Sequence, residues 1–217
     1  MVNSQRRHLI QMTGLASLGA IPLTSTAKSP EEPQGTLAPK WDESVDIIVV
    51  GSAFAGLAAA LEAHKKGASV VILEKMRTSG GNSVINGGIF GVLGTPQQKA
   101  LGIQDSPALM IKDMVKAGDG LNHISKAKAL CDAALETYEW TVNELGVEYQ
   151  TGNVKQEGGH SVPRSLFTKN GSGSEIVNKE LVALAKVSIK PRLRVFMEAI
   201  LKDSSGRVVE VTTHSPK

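Results

Sequence analysis

The stretch from Val45 to Glu74 constrains the fold of this chain more than any other. Val45-Asp46-Ile47-Ile48-Val49-Val50 is a short β-branched run, the pattern of a parallel strand buried on both faces. It stops at Gly51-Ser52-Ala53-Phe54-Ala55-Gly56, and Leu57 to Lys66 then forms a strong helix-favouring run ended by Gly67. A second apolar run, Ser69 to Leu73, ends at Glu74, 18 residues beyond Gly56. Strand, glycine turn, helix, strand and acid in that order make the βαβ dinucleotide-binding arrangement, so the expected class is α/β with a Rossmann-like domain.

Each part has a physical task. Gly51 permits the sharp turn out of the strand, with Ser52 next in the turn. A small residue at Ala53 lets backbone approach a pyrophosphate, and Gly56 allows close helix–strand packing. The helix start, with unpaired N–H groups and the positive end of its dipole, then holds the phosphates. Glu74, at the tip of the second strand, accepts hydrogen bonds from ribose hydroxyls. Position 53 carries Ala where the fingerprint has Gly, a methyl that takes some clearance. The bland alternative, glycines that only turn a corner in an ordinary α/β domain, lacks a reason for the flanking strand, helix and acid.

The residues after the acid separate a nicotinamide site from a flavin site. A nicotinamide domain runs from its acid into another crossover helix, whereas this chain runs into Gly80-Gly81-Asn82-Ser83 and Asn86-Gly87-Gly88. Two Gly-Gly pairs with Asn and Ser between them suggest backbone lying flat against a planar ring and a pyrophosphate. Glycine totals 22 of 217 residues, above the usual ~7%, and ten of the glycines fall between Gly51 and Gly102.

With 41% hydrophobic and 21% charged residues, the chain has a globular profile that excludes collagen, coiled coil and low-complexity tail. The net charge of +3 falls to +1, 22 basic against 21 acidic residues, once Met1 to Ala27 is set aside. No basic stripe argues for nucleic acid. The single cysteine, Cys131, forbids an intramolecular disulfide, a Cys-x-x-Cys metal clip and a Cys-x-x-Cys-His haem attachment, so no metal site is expected. Any haem or iron–sulfur partner must therefore sit on another polypeptide.

Residues 1–27 read as an address. Ser4-Gln5-Arg6-Arg7-His8-Leu9-Ile10 precedes a charge-free apolar run, Met12 to Leu23, too short to span a bilayer at ~1.5 Å per residue. Ser25-Thr26-Ala27 supplies small residues for signal peptidase. The paired arginines make this a twin-arginine export signal, which implies a periplasmic product without a stable membrane anchor; a frayed amphipathic tail is the alternative. Residues 28–44, with Pro30, Pro33 and Pro39 and no apolar periodicity, read as a linker.

Beyond the glycine pairs, Ser106-Pro107 starts a helix that continues over Ala108 to Ala117. A second is expected from about Ser125 to Leu145, with Ala127, Leu130, Cys131, Ala134, Leu135, Tyr138, Val142 and Leu145 on its apolar face and Gly146 at its end. Cys131 is read as an inert core thiol, and Tyr138 and Trp140 as packing residues. Gly158-Gly159-His160-Ser161-Val162-Pro163-Arg164 leads to Asn170-Gly171-Ser172-Gly173-Ser174 and a helix over Glu175 to about Lys186. That glycine-rich turn is either a second anion contact or an ordinary surface loop. His160 and Arg164 either face a dicarboxylate substrate or play solvated and structural roles, the reading the sequence favours. Strands are expected from Arg192 to Lys202 and over Val208 to Val211, joined as a hairpin at Asp203-Ser204-Ser205-Gly206.

Asp46 to Leu57, Glu74-Lys75, Gly80 to Ser83, Asp105 to Met110 and Gly159 to Ser165 together resemble the FAD-binding half of the fumarate reductase/flavocytochrome c flavoprotein family, over roughly Val45 to Val211. The resemblance implies that Ala55 and Gly56 lie against the FAD pyrophosphate and Glu74 against the adenosine ribose with Lys75 beside it. It sets Gly81, Asn82, Ser83, Asn86, Gly87 and Gly88 near the flavin. It implies hydride transfer from reduced flavin to the C=C of a dicarboxylate or other enoate, with electrons from a separate c-type cytochrome. Urocanate or a 3-ketosteroid are the alternative substrates, and a non-catalytic dinucleotide-binding remnant is the alternative outside enzymology. In the family, the substrate-gripping and proton-donating side chains lie downstream in a capping domain. On that pattern residues 45–217 are the N-terminal part of an FAD-binding domain, incomplete, with a helical insert and a C-terminal β-hairpin. No catalytic residue is expected among them, and the chain alone is expected to be inactive.

Overall fold

A computed structural model describes residues 41–216. The expected export signal at 1–27 and the linker as far as residue 40 lie outside the described residues. Strand β1 (Ile47–Val50), helix α1 (Phe54–Lys65) and strand β2 (Val70–Glu74) form the anticipated βαβ unit. The two strands pair in parallel, Ile47 beside Val70 through Val50 beside Leu73. A two-residue strand β6 (Arg192–Leu193) adds to the far side of β2, so β2 is central and β1 lies at an edge.

The burial of β1 differs from the expectation. Ile47, Ile48 and Val50 are 39%, 38% and 52% exposed, not buried on both faces. The reason is topological: α1 covers β1 from one side, and no described strand pairs with its outer edge. Core formation falls instead to β2, α1 and α5 (Ser174–Lys186), where Leu57, Ala60, Leu61, Ile72, Val177 and Leu184 make a continuous buried cluster. Each is 7% exposed or less.

A second layer contains an antiparallel sheet that periodicity did not reveal. Strands β3 (Ile89–Gly91), β4 (Tyr149–Lys155) and β5 (Ser165–Thr168) pair in the order β3-β5-β4. β3 and β5 have only three and four residues, and β4, Tyr-Gln-Thr-Gly-Asn-Val-Lys, carries polar residues and a bulge between Tyr149 and Val154. None shows a sustained alternation of apolar and polar residues. Tyr138 and Ala134 of helix α4 (Ile124–Asn143) pack on this sheet with Val92 and Leu166.

The helices obey local rules. The five-residue helix α2 (Pro96–Ala100) is capped by Thr95 and α3 (Pro107–Ala117) by Ser106, whose Oγ accepts from Leu109 N–H. Cys131 is buried on α4 as expected, whereas Leu130, expected on the same face, is 49% exposed. The final hairpin, β7 (Phe196–Lys202) and β8 (Val208–His214), closes at Asp203, whose Oδ1 accepts from Ser205 N–H, Ser205 Oγ–H and Arg207 N–H. No helix of the described residues is long and apolar enough to cross a membrane.

Candidate functional site

The turn between β1 and α1 is held from below. Gly51 N–H donates to the Leu73 carbonyl at 2.8 Å, and Gly51 adopts φ +100°, where a side chain would be strained. Gly56 is required for a different reason: a Cβ there would lie 2.0 Å from the Gly51 carbonyl oxygen. Ala53 sits in ordinary extended conformation (φ −78°, ψ 177°), so its methyl causes no backbone strain.

No side chain of its own segment caps α1. Phe54 N–H is instead satisfied by Ser83 Oγ at 3.2 Å, which brings the first glycine pair against the helix start. Ala55 and Gly56 come next in the first turn, where N–H groups have no carbonyl within the helix. Together with the helix dipole they form an anion-accepting corner.

Glu74 is 5% exposed and faces this corner. Its Oε2 accepts from Ser52 N–H at 3.0 Å and Ser52 Oγ–H at 2.6 Å, while Oε1 accepts from Met76 N–H at 2.8 Å. Burial pushes the carboxyl up, but the Ser52 hydroxyl, the two backbone N–H groups and nearby Lys75 outweigh it and hold it below the usual carboxylate range. Ser52 Oγ also accepts from Gly80 N–H at 3.1 Å, so one buried hydroxyl links the acid, the turn and the glycine pair. Nothing in the sequence distinguished that linking role from mere membership of the turn.

A cleft of about 820 Å³ opens above this network. It is lined by Gly51, Ser52, Ala53, Glu74, Lys75, Gly81 and Asn82 together with Val195, Phe196 and Met197, Val195 N–H donating to the Glu74 carbonyl at 3.0 Å. The last three were legible only as hairpin residues, because their place beside the cleft depends on β6 pairing with β2.

The other expected residues are arranged differently. Asn86 turns into its own loop: Nδ2 donates to the Ser83 carbonyl at 2.7 Å, and Oδ1 accepts from Gly88 N–H at 2.7 Å. Gly88 is buried, and a Cβ there would lie 2.1 Å from Thr168 Oγ1, so it is a packing glycine. Gly87 is exposed, and neither it nor Ala55, Gly56, Ser83, Asn86 or Gly88 lines the cleft. Gly173 presses on the same loop, its position for a Cβ 2.0 Å from the Ser83 carbonyl and its N–H donating to the Asn86 carbonyl. The glycine-rich turn before α5 therefore buttresses residues 83–86.

His160 and Arg164 do not present a carboxylate-binding pair. Arg164 is fully buried; its Nε and Nη2 clasp Asp105 at 2.8 and 2.7 Å, and Nη1 contacts Asp113 Oδ2 and His160 Nδ1, each at 2.7 Å. For Arg164 the structural reading is the one the geometry carries.

Residues 46–217 match the family described as FAD binding domain. The chain is 38% identical over 207 residues to the acrylate reductase flavoprotein subunit of Shewanella woodyi, covering 95% of this chain and 40% of that protein. It is 35% identical over 181 residues to the urocanate reductase of Eggerthella lenta, covering 83% and 29%. Its fold superposes on the open conformation of a flavocytochrome c3 fumarate reductase with a TM-score of 0.75 and 31% identity, covering 80% of this chain and 31% of that one. The chain thus spans two fifths or less of the length of these relatives.

Proposed function

This chain belongs to the FAD-binding domain family, and from that premise we propose that the cleft beside Gly51–Gly56 holds FAD for a flavoprotein that reduces an activated carbon–carbon double bond. The residues fit such a cofactor. Position 56 tolerates only glycine, the α1 start offers unpaired N–H groups, and the 820 Å³ cleft is within the size range of cofactor sites.

In this reading the N–H groups of Ala55 and Gly56 hold the pyrophosphate. Glu74, with Lys75 beside it, takes the adenosine ribose, and the Val195–Met197 segment covers that end. Gly81, Asn82 and Ser83 lie toward the flavin, and Asn86, Gly87 and Gly88 shape the loop that presents them. When bound, FAD supplies the two-electron chemistry. This chain's own contribution is placement: Ser52 keeps the Glu74 carboxylate ionised and aimed at the turn, and Ser83 fixes the helix start. The double bond is that of an enoate such as fumarate, acrylate or urocanate, a reading supported by the likeness to reductases of those three compounds. Electrons come from a separate c-type cytochrome. The Arg6-Arg7 leader supports export to the periplasm by the twin-arginine route.

The observation that carries the reading is the close approach of Gly56 to the Gly51 carbonyl beneath an open helix start. Its test is the visible spectrum of the purified full chain after FAD addition and gel filtration. A retained flavin band that is lost in Gly56→Ala, with far-UV circular dichroism unchanged, is expected. A folded parent chain that emerges colourless at saturating FAD overturns the proposal.

A further inference from the structure

α3, α4 and β3 line a second pocket, open to solvent along the exposed Ala133 and Thr137 of α4 and about 440 Å³ in volume, which shares no residue with the cleft beside the dinucleotide turn. Phe90, Met110, Met114, Ala133, Thr137 and His160 are among its walls. Only Thr137 and His160 bring polar side-chain atoms to it, and the Thr137 hydroxyl donates to the Ala133 carbonyl at 2.9 Å. That leaves one imidazole in an apolar wall.

The ring's hydrogen-bonding role is set by its neighbour. Arg164 Nη1 lies 2.7 Å from His160 Nδ1, and a guanidinium only donates, so Nδ1 accepts and the neutral ring carries its proton on Nε2. Burial, then Arg164, hold His160 below its ordinary pKa and keep the ring neutral. Nε2 has no hydrogen-bond partner among the described residues and stands beside β3, 3.5 Å from where a Cβ on Gly91 would be. Behind it, one guanidinium faces two carboxylates, Asp105 and Asp113, a cluster of net charge −1. An anionic ligand is disfavoured there, and a neutral acceptor is not.

We propose that this cavity binds a small, neutral, largely apolar carbonyl compound whose oxygen accepts a hydrogen bond from His160 Nε2–H. Its volume lies within the range of small-molecule sites, and the unbranched Met110 and Met114 side chains adapt to the shape of an apolar body. The site stands on these residues alone and does not depend on FAD.

The test titrates the full chain, labelled at methionine methyls and histidine nitrogens, with three probes of one shape: 2-acetylnaphthalene, 2-ethylnaphthalene and 2-naphthoate. The ketone is expected to produce saturable shifts at the Met110 and Met114 methyls and at His160 Nε2. The hydrocarbon and the carboxylate should bind about tenfold more weakly, the effect of one hydrogen bond. Ala133→Trp, at an exposed position of α4, fills the cavity from outside and should abolish the shifts. His160→Phe keeps the wall apolar and should erase the preference for the ketone. The proposal fails if no ketone shift saturates, if the hydrocarbon or the carboxylate binds as well as the ketone, or if Ala133→Trp leaves binding intact.

Discussion

At the scale of single residues, the electrostatics of this chain are set by burial against hydrogen bonding. Asp113 shows hydrogen bonding prevailing: burial pushes its carboxyl up, yet Ser161 N–H, the Arg164 guanidinium and the Ser161 hydroxyl bring it down to about 2 from 3.8. A folded-state value below the unfolded one contributes stability that is fully present above the ordinary value and lost as pH falls through the folded one. Acid unfolding between about pH 3.8 and 2 should therefore lose a component in Asp113→Asn, monitored by near-UV circular dichroism. Glu180 is the reverse case. It is 1% exposed on α5 between Val177 and Leu184, its Oε2 has no partner, and burial raises it from 4.5 to about 8. That contribution is present below 4.5 and lost as pH rises toward 8, so urea denaturation should find Glu180→Gln gaining on the parent by on the order of a few kcal/mol over that interval. The sequence indicated only that Glu180 lies on a helix over Glu175 to about Lys186; its burial depends on how α5 meets α1.

At the scale of elements, capping and cross-links decide what the segments do. The Ser106 cap of α3 was legible as Ser-Pro ahead of an apolar run, and Ser106→Ala should lower stability by about 1 kcal/mol in chemical denaturation. The ties between elements were not legible. Arg164, just before β5, bridges Asp105 before α3 and Asp113 within it, residues more than fifty positions away in the chain. Arg164→Ala leaves two buried carboxylates without a cation and should cost about 3–5 kcal/mol, measured by urea denaturation, a far larger loss than for an exposed arginine. The same tie removes Arg164 from consideration as a carboxylate-binding side chain. At the start of α1, helix propensity indicated the helix, but its cap comes from Ser83, 29 residues later.

At the scale of the whole molecule, the three small sheets of the described residues leave β1 without a strand partner on its outer edge among those residues. That edge, unpaired among the described residues, together with the exposed side chains of Ile47, Ile48 and Val50 is the combination that templates strand addition. Light scattering should show mass rising with protein concentration, and Ile48→Lys, which places a charge on that strand, should reduce the rise while leaving far-UV circular dichroism unchanged.

What the sequence determined by itself is the βαβ unit, the dinucleotide turn with its acid, the helices α3, α4 and α5 and the closing hairpin. All are written in contiguous residues through periodicity, glycine placement and capping. Tertiary structure alone decided that β1 lies exposed, that β3, β4 and β5 form a sheet, that Ser52 joins Glu74 to Gly80, and that Arg164 serves Asp105 and Asp113. The division has one physical cause: hydrophobic period and turn chemistry act over a few residues, whereas burial and the pairing of polar groups depend on which distant segments arrive at the same place.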